Sequence, residues 1–199
     1  MVGLNDAFGS PLSQDYIRRQ ALTFRNILNV GAEPAPDIAY LLEHILPELI
    51  PGFDFNVVER GQIGGDGGLT TWDPPSISLE EHVYFGLVRT GFRERFTGAH
   101  EIGHLVLHKG RTQARNAAQA RSIGPAYSLE WQANAFAAEF LMPHEMIKDC
   151  KTPRDLSNHC KVSVEAAERR MRDCAMWPRG DERLRVVNGF EALLKSLKK

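Results

Sequence analysis

The segment that most constrains this chain is Arg95-Phe96-Thr97-Gly98-Ala99-His100-Glu101-Ile102-Gly103-His104-Leu105-Val106-Leu107-His108, and within it His-Glu-x-x-His. On a helix, residues four apart share one face and lie about 6 Å apart along the axis. His100 and His104 then present ring nitrogens to a single ion at about 2.0–2.1 Å each. Glu101 points aside, within reach of a water on that ion, which is the arrangement for metal-assisted hydrolysis with a carboxylate as general base. Phe96, Ala99, Ile102, Gly103, Val106 and Leu107 make the remainder apolar, as in a helix buried behind a cleft. Polar groups on such a helix need partners. Gly103 costs about 1 kcal/mol relative to Ala in a helix interior, so its presence predicts close approach of another backbone.

A catalytic zinc takes three protein ligands and keeps one position open for water. The third ligand is sought in Ser128-Leu129-Glu130-Trp131-Gln132-Ala133-Asn134-Ala135-Phe136-Ala137-Ala138-Glu139-Phe140-Leu141-Met142-Pro143. Ser128 caps a helix there, the apolar spacing is helical, and Pro143 stops it. Glu130 and Asn134, four apart, both face the first helix. Glu130 completes a His-His-Glu set, and Asn134 accepts the N–H of a ligand imidazole and holds its tautomer. The same stretch also reads as a capped amphipathic helix in which Glu130 is an ordinary first-turn acid favoured by the dipole.

These two motifs, in this order and spacing, resemble the ImmA/IrrE family of zinc metallopeptidases. With the stretch between them they cover about a quarter of the chain. The resemblance implies a small gluzincin-like fold, zinc held by His100, His104 and Glu130, and Glu101 as base. It also implies a substrate class: helix-turn-helix repressor proteins, cut at one site when a stress or phage signal arrives. Some relatives sit in toxin–antitoxin-like pairs.

The chain has 199 residues, 43% of them apolar, enough for one core or a core with an extension. No apolar run approaches 18 residues, so no membrane span is expected. The N-terminus lacks a basic-then-apolar signal pattern, and three cysteines, all late in the chain, suit a reducing compartment. A cytoplasmic protein is expected. Charge is unevenly spread: 11 Lys and Arg stand against 16 Asp and Glu up to Pro143, and 13 against 9 beyond it. A basic tail permits an acidic partner, although such asymmetry is commonly just solvated surface. The connection Lys109–Tyr127 holds Lys109, Arg111, Arg115 and Arg121 and no acid, and reads either as a substrate-contacting flap or as a plain loop. Its basicity suits an acidic substrate segment or a nucleic-acid effector.

Periodicity predicts a helix over 14–28 and a second one capped by Asp37 that Pro47 ends or kinks. Strands are predicted at 53–59, 69–73 and 76–79, while 81–90 is ambiguous. His108 continues the four-residue series, but it would lie about 12 Å along the axis from His100, too far for the same ion. It reads as a dipole partner or a packing residue. Tyr127 and His144 flank the second motif and are candidates to stabilise a tetrahedral intermediate. Beyond Pro143, Thr152-Pro153 and Ser163 start two short helices whose pattern resembles a helix-turn-helix, with a pair packed on the core as the blander reading, and 190–197 reads as a terminal helix. Cys150, His159, Cys160 and Cys174 lack the Cys-x-x-Cys unit of a zinc cluster. The expected architecture is α+β and zincin-like: residues 1–149 with helices packed around a small three-stranded sheet, then a helical C-terminal extension over 150–199.

Overall fold

The computed structural model describes residues 9–31, 33–63, 65, 67–89, 91–109 and 125–176. The predicted terminal helix at 190–197 and most of the basic connection lie outside them. Helix α1 (Gln14–Ile27) starts where Ser13 accepts the Tyr16 N–H at 3.2 Å, and it buries Ile17, Ala21 and Phe24 completely. Asp37 caps the next rod, which runs through α2 (Ile38–Tyr40), a π-helical turn (Leu41–Ile45) and α3 (Leu46–Leu49). Pro47 therefore does not end this helix. Its ring would collide with the carbonyl four residues back, and the widened turn just before it, closed by Leu46 N–H to Leu41 C=O, relieves that crowding.

A three-stranded sheet follows: β1 (Asp54–Val58), β2 (Gly68–Trp72) and β3 (Pro75–Glu80), in the order β1-β3-β2. β3 pairs with β1 in parallel and with β2 antiparallel, with Thr70 opposite Ile77 and Gly68 opposite Leu79. The central strand buries Ile77 and Leu79 fully. β2 is an edge with alternating sides, since Leu69 and Thr71 face solvent while Gly68, Thr70 and Trp72 turn inward toward the next long helix. The ambiguous stretch 81–90 is a helix, α4 (Glu81–Val88).

Helix α5 (Phe92–Leu107) carries the His-Glu-x-x-His motif, and α6 (Leu129–Leu141) carries the second motif behind a 3-10 turn at Pro125–Tyr127. Ser128 caps α6 by accepting the Trp131 N–H at 3.1 Å. The two helices pack closely at Gly103, where an added Cβ would lie 3.0 Å from the Ala133 carbonyl oxygen and 3.2 Å from Phe136 Cβ. The close approach expected from that glycine is present. Elsewhere on α6, Phe136 and Phe140 stack on each other and pack, tilted, against Phe24 of α1. The buried Arg25 guanidinium donates to the carbonyls of Val30, Glu33 and Phe140, tying α1 to the end of α6, and burial lowers its pKa to about 10.

After α7 (His144–Lys148), the predicted helical pair is α8 (Pro153–Cys160) and α9 (Val164–Met176). A capping box of Thr152 and Asp155 starts α8, and Lys161 in the left-handed conformation ends it. Leu156, Cys160, Val162 and Ala167 are buried in the same hydrophobic cluster as α1, α5 and α6. Arg170 of α9 forms a bidentate buried pair with Glu139 of α6 and donates to the Met142 carbonyl. Arg95 of α5 reaches the Lys161 and Pro36 carbonyls at 3.1 and 2.9 Å. Through Met176, the extension shares its core with the motif helices.

Candidate metal centre

The four-residue spacing on α5 puts the two histidine rings side by side, their centroids 4.7 Å apart. Nε2 of His100 and Nε2 of His104 are 3.0 Å apart. From the first turn of α6, Glu130 brings Oε2 to 3.2 Å from the first nitrogen and Oε1 to 3.4 Å from the second. Among the described residues, these three side chains form the one group of potential metal ligands, with all ligating atoms within 4.8 Å of one another. Ligand bonds of 2.0–2.1 Å in tetrahedral geometry separate neighbouring donors by about 3.3 Å. The observed edges match that spacing.

Hydrogen bonding sharpens the fit. Asn134, one turn beyond Glu130, places Oδ1 3.1 Å from His100 Nδ1. An amide oxygen only accepts, so with Asn134 in this orientation the His100 hydrogen is on Nδ1 and the Nε2 lone pair faces the other two side chains. Two nitrogens and a carboxylate at this range are held together by a shared proton or by a cation, and a divalent metal fits. Without one, burial works against charge on His100, but hydrogen bonding from Glu130 and the charges of Glu101 and Glu130 prevail and raise its pKa. Hydrogen bonds from His100 and His104 hold Glu130 well below the usual carboxylate range, against the desolvation that opposes them.

Glu101 is 6% exposed, on the side of α5 that meets β2. Thr70 of β2 donates to Glu101 Oε2 at 2.7 Å and lies 3.0 Å from its carbonyl oxygen. Gly68, the inward residue one step before, leaves room for that carboxylate: a Cβ there would lie 2.5 Å from Oε1. Thr70 and Gly68 thus aim the carboxylate, and neither is marked by any spacing in the sequence.

The remaining candidates separate. Tyr127 is 39% exposed in the 3-10 turn at the Glu130 end of α6. His144 begins α7, beyond the C-terminal end of α6, and about 17 Å of helix lies between that end and Glu130. It is not brought to this centre. His108 is the C-cap of α5, where the helix dipole favours it, and it also makes two side-chain contacts. It is 6% exposed, its Nδ1 lies 2.9 Å from His104 Nδ1, and its Nε2 lies 3.0 Å from Gln132 Oε1. Asn134 also lines a cavity of about 630 Å³ between α5, α6 and α9, walled by Phe92, Phe96, Trp131, Ala135 and Ala166 together with the charged Arg93, Glu165, Arg169, Arg170 and Asp173.

Residues 90–172, from just before α5 into α9, match the family model described as Peptidase_M78, IrrE N-terminal-like domain. A solved structure titled Mycobacterium tuberculosis transcriptional regulator is similar over 86% of this chain and 50% of that one, at 13% identity and a TM-score of 0.50. That likeness concerns fold alone, and this chain spans half the length of that structure. No curated protein matches the chain. His100, His104 and Glu130 all lie inside the matched stretch, and this match over residues 90–172 supports the resemblance to the ImmA/IrrE family.

Proposed function

We propose that this chain is a zinc-dependent endopeptidase that cuts one bond in a partner protein, a helix-turn-helix transcriptional repressor, within a stress or mobile-element response. The observation that supports it most is the joint placement of three converging donors and a separately oriented carboxylate. A structural metal site has no use for Glu101, whereas a hydrolytic one needs a base held beside it.

His100, His104 and Glu130 would hold the ion, which supplies Lewis-acid polarisation of the scissile carbonyl and a water acidic enough to ionise near neutral pH. Glu101 accepts the proton of the attacking water and passes it to the leaving amine. Thr70 keeps the carboxylate turned toward that water, and Asn134 fixes the ring of His100. Among the described residues nothing pairs with the outer edge of β2, where an extended substrate would add as a further strand. The cavity beside Asn134 accepts an apolar side chain near the cut.

The test is co-expression with the helix-turn-helix protein encoded beside this chain, reading partner mass in the presence of wild type or the Glu101→Gln variant. A single cut made by wild type and absent with the variant is expected, with zinc content equal in both. A partner that stays whole and co-purifies equally with both proteins refutes cleavage and leaves binding as the function.

A further inference from the structure

Glu130 and Asn134 account for the α6 side of the centre. They leave His104 Nδ1 unexplained, and that atom begins a chain of contacts with a single consistent proton arrangement. The chain is read from its far end. Gln132 is completely buried on α6. Its Nε2 lies 3.0 Å from the Ser10 carbonyl oxygen and 2.7 Å from the Ala126 carbonyl oxygen. Both neighbours are obligate acceptors, so the amide cannot flip without setting its own oxygen against two others. Oε1 therefore points the opposite way, to His108 Nε2 at 3.0 Å. An amide oxygen accepts, so that nitrogen carries the hydrogen.

A neutral imidazole has one N–H, which leaves His108 Nδ1 as a bare acceptor. Facing it at 2.9 Å is His104 Nδ1, which must donate. His104 Nε2 is then left with its lone pair, 3.0 Å from His100 Nε2 and 3.4 Å from Glu130 Oε1. We propose that Gln132 and His108 form a relay of positioning residues that sets the tautomer of His104 and holds its Nε2 toward the metal. The relay is anchored on two backbone carbonyls, one in the segment ahead of α1 and one in the turn ahead of α6. Those segments are themselves joined, because Gly9 N–H donates to the Tyr127 carbonyl and Leu12 N–H to the Ala126 carbonyl. Asn134 does for His100 in one step what Gln132 does for His104 in two. The inference rests on reading the site as a metal centre, and it holds whether or not the chain cuts peptides.

Nitrogen-15 correlation spectra of the imidazoles, recorded on the full-length wild-type protein with and without zinc, test it directly. His108 is expected to carry its hydrogen on Nε2 in both states, and zinc-bound His104 to be ligated through Nε2 with its hydrogen on Nδ1. A His108 protonated on Nδ1, or a His104 ligated through Nδ1, overturns the proposal whatever becomes of peptidase activity. Variants supply the second arm, read as zinc affinity against a chromogenic chelator alongside melting temperature. Loss of a partner that orients a ligand typically weakens metal binding by about 10–100-fold. His108→Phe fills the space but offers no acceptor, whereas His108→Asn restores an oxygen where Nδ1 stood. The relay requires the Asn variant to bind zinc more tightly than the Phe variant. The reverse order, or equal affinities, shows that His108 merely fills space.

Discussion

At the scale of single residues, the carboxylate of Glu101, the proposed base, is governed by two small residues on β2. Thr70→Val keeps the shape and removes the hydroxyl that donates to Glu101. A hydrogen bond to a charged group is worth about 1.5–3 kcal/mol, so turnover of the cut partner should fall about 10–100-fold with zinc content unchanged. Thr70→Ser should recover most of it. Gly68→Ala is harsher, since its Cβ would lie 2.5 Å from Glu101 Oε1 and push the carboxylate off its position. Activity there should approach that of Glu101→Gln. The ligands also leave a signature in pH. In the metal-free protein, the raised His100 pKa contributes stability that is whole below the ordinary value of 6.5 and fades as pH climbs through the raised one. The lowered Glu130 pKa contributes stability that is whole above 4.5 and fades as pH falls toward the depressed one. The difference in melting temperature between wild type and Glu130→Gln, both stripped of metal, should therefore be largest between pH 4.5 and 6.5 and shrink on either side.

At the scale of elements, the centre depends on how closely α5 and α6 approach. Gly103→Ala gains about 1 kcal/mol of helix propensity. It also introduces a Cβ 3.0 Å from the backbone oxygen of Ala133, an overpacking that costs about 1–3 kcal/mol. We expect the melting temperature to fall and zinc affinity to fall with it, because the same shift moves Glu130 away from the histidines. This contact also marks what could be read in advance. His100, His104, Glu130 and Asn134 are legible because a four-residue helical repeat converts spacing directly into a shared face. Gly103 is legible because a glycine in an apolar helix is costly without a close neighbour. The three strands are legible from alternation and turn residues, but which strand lies beside Glu101 is not. Thr70 stands 31 positions from Glu101, and a threonine in a short strand carries no signal of what it faces. Gln132 is hidden for a similar reason, since its role appears only when Ser10, Ala126 and His108 converge on it. The π-helical turn ahead of Pro47 could not be read either, because one proline ends some helices and only widens others.

At the scale of the whole molecule, the helical extension is bound into the core by a buried charge pair. The Glu139 and Arg170 side chains are each 4% exposed. Breaking such a pair from one side leaves a buried charge uncompensated and costs about 3–5 kcal/mol, whereas an apolar replacement of both partners is often neutral. Arg170→Met should sharply lower the urea midpoint, and the double variant Glu139→Leu with Arg170→Met should recover much of the loss. Two equal, additive losses would show that the pair is not coupled. Glu139 lies on the helix that carries Glu130, so Arg170→Met should weaken zinc retention as well.

The contact between Gly68 and Glu101 also bears on how such a chain can change over generations. A strand alternates its faces, so sliding β2 by one residue against β3 would turn Thr70 outward and bring Leu69 or Thr71 to face the base. The glycine-rich turn before β2 is itself anchored, because the Gly61 and Ile63 N–H groups donate to Glu80 Oε1 and the Glu80 N–H donates to the Gly67 carbonyl. An insertion that keeps those bonds and the strand pairing should therefore be tolerated, while any that displaces Thr70 from Ile77 should abolish the proposed catalysis and leave the fold standing.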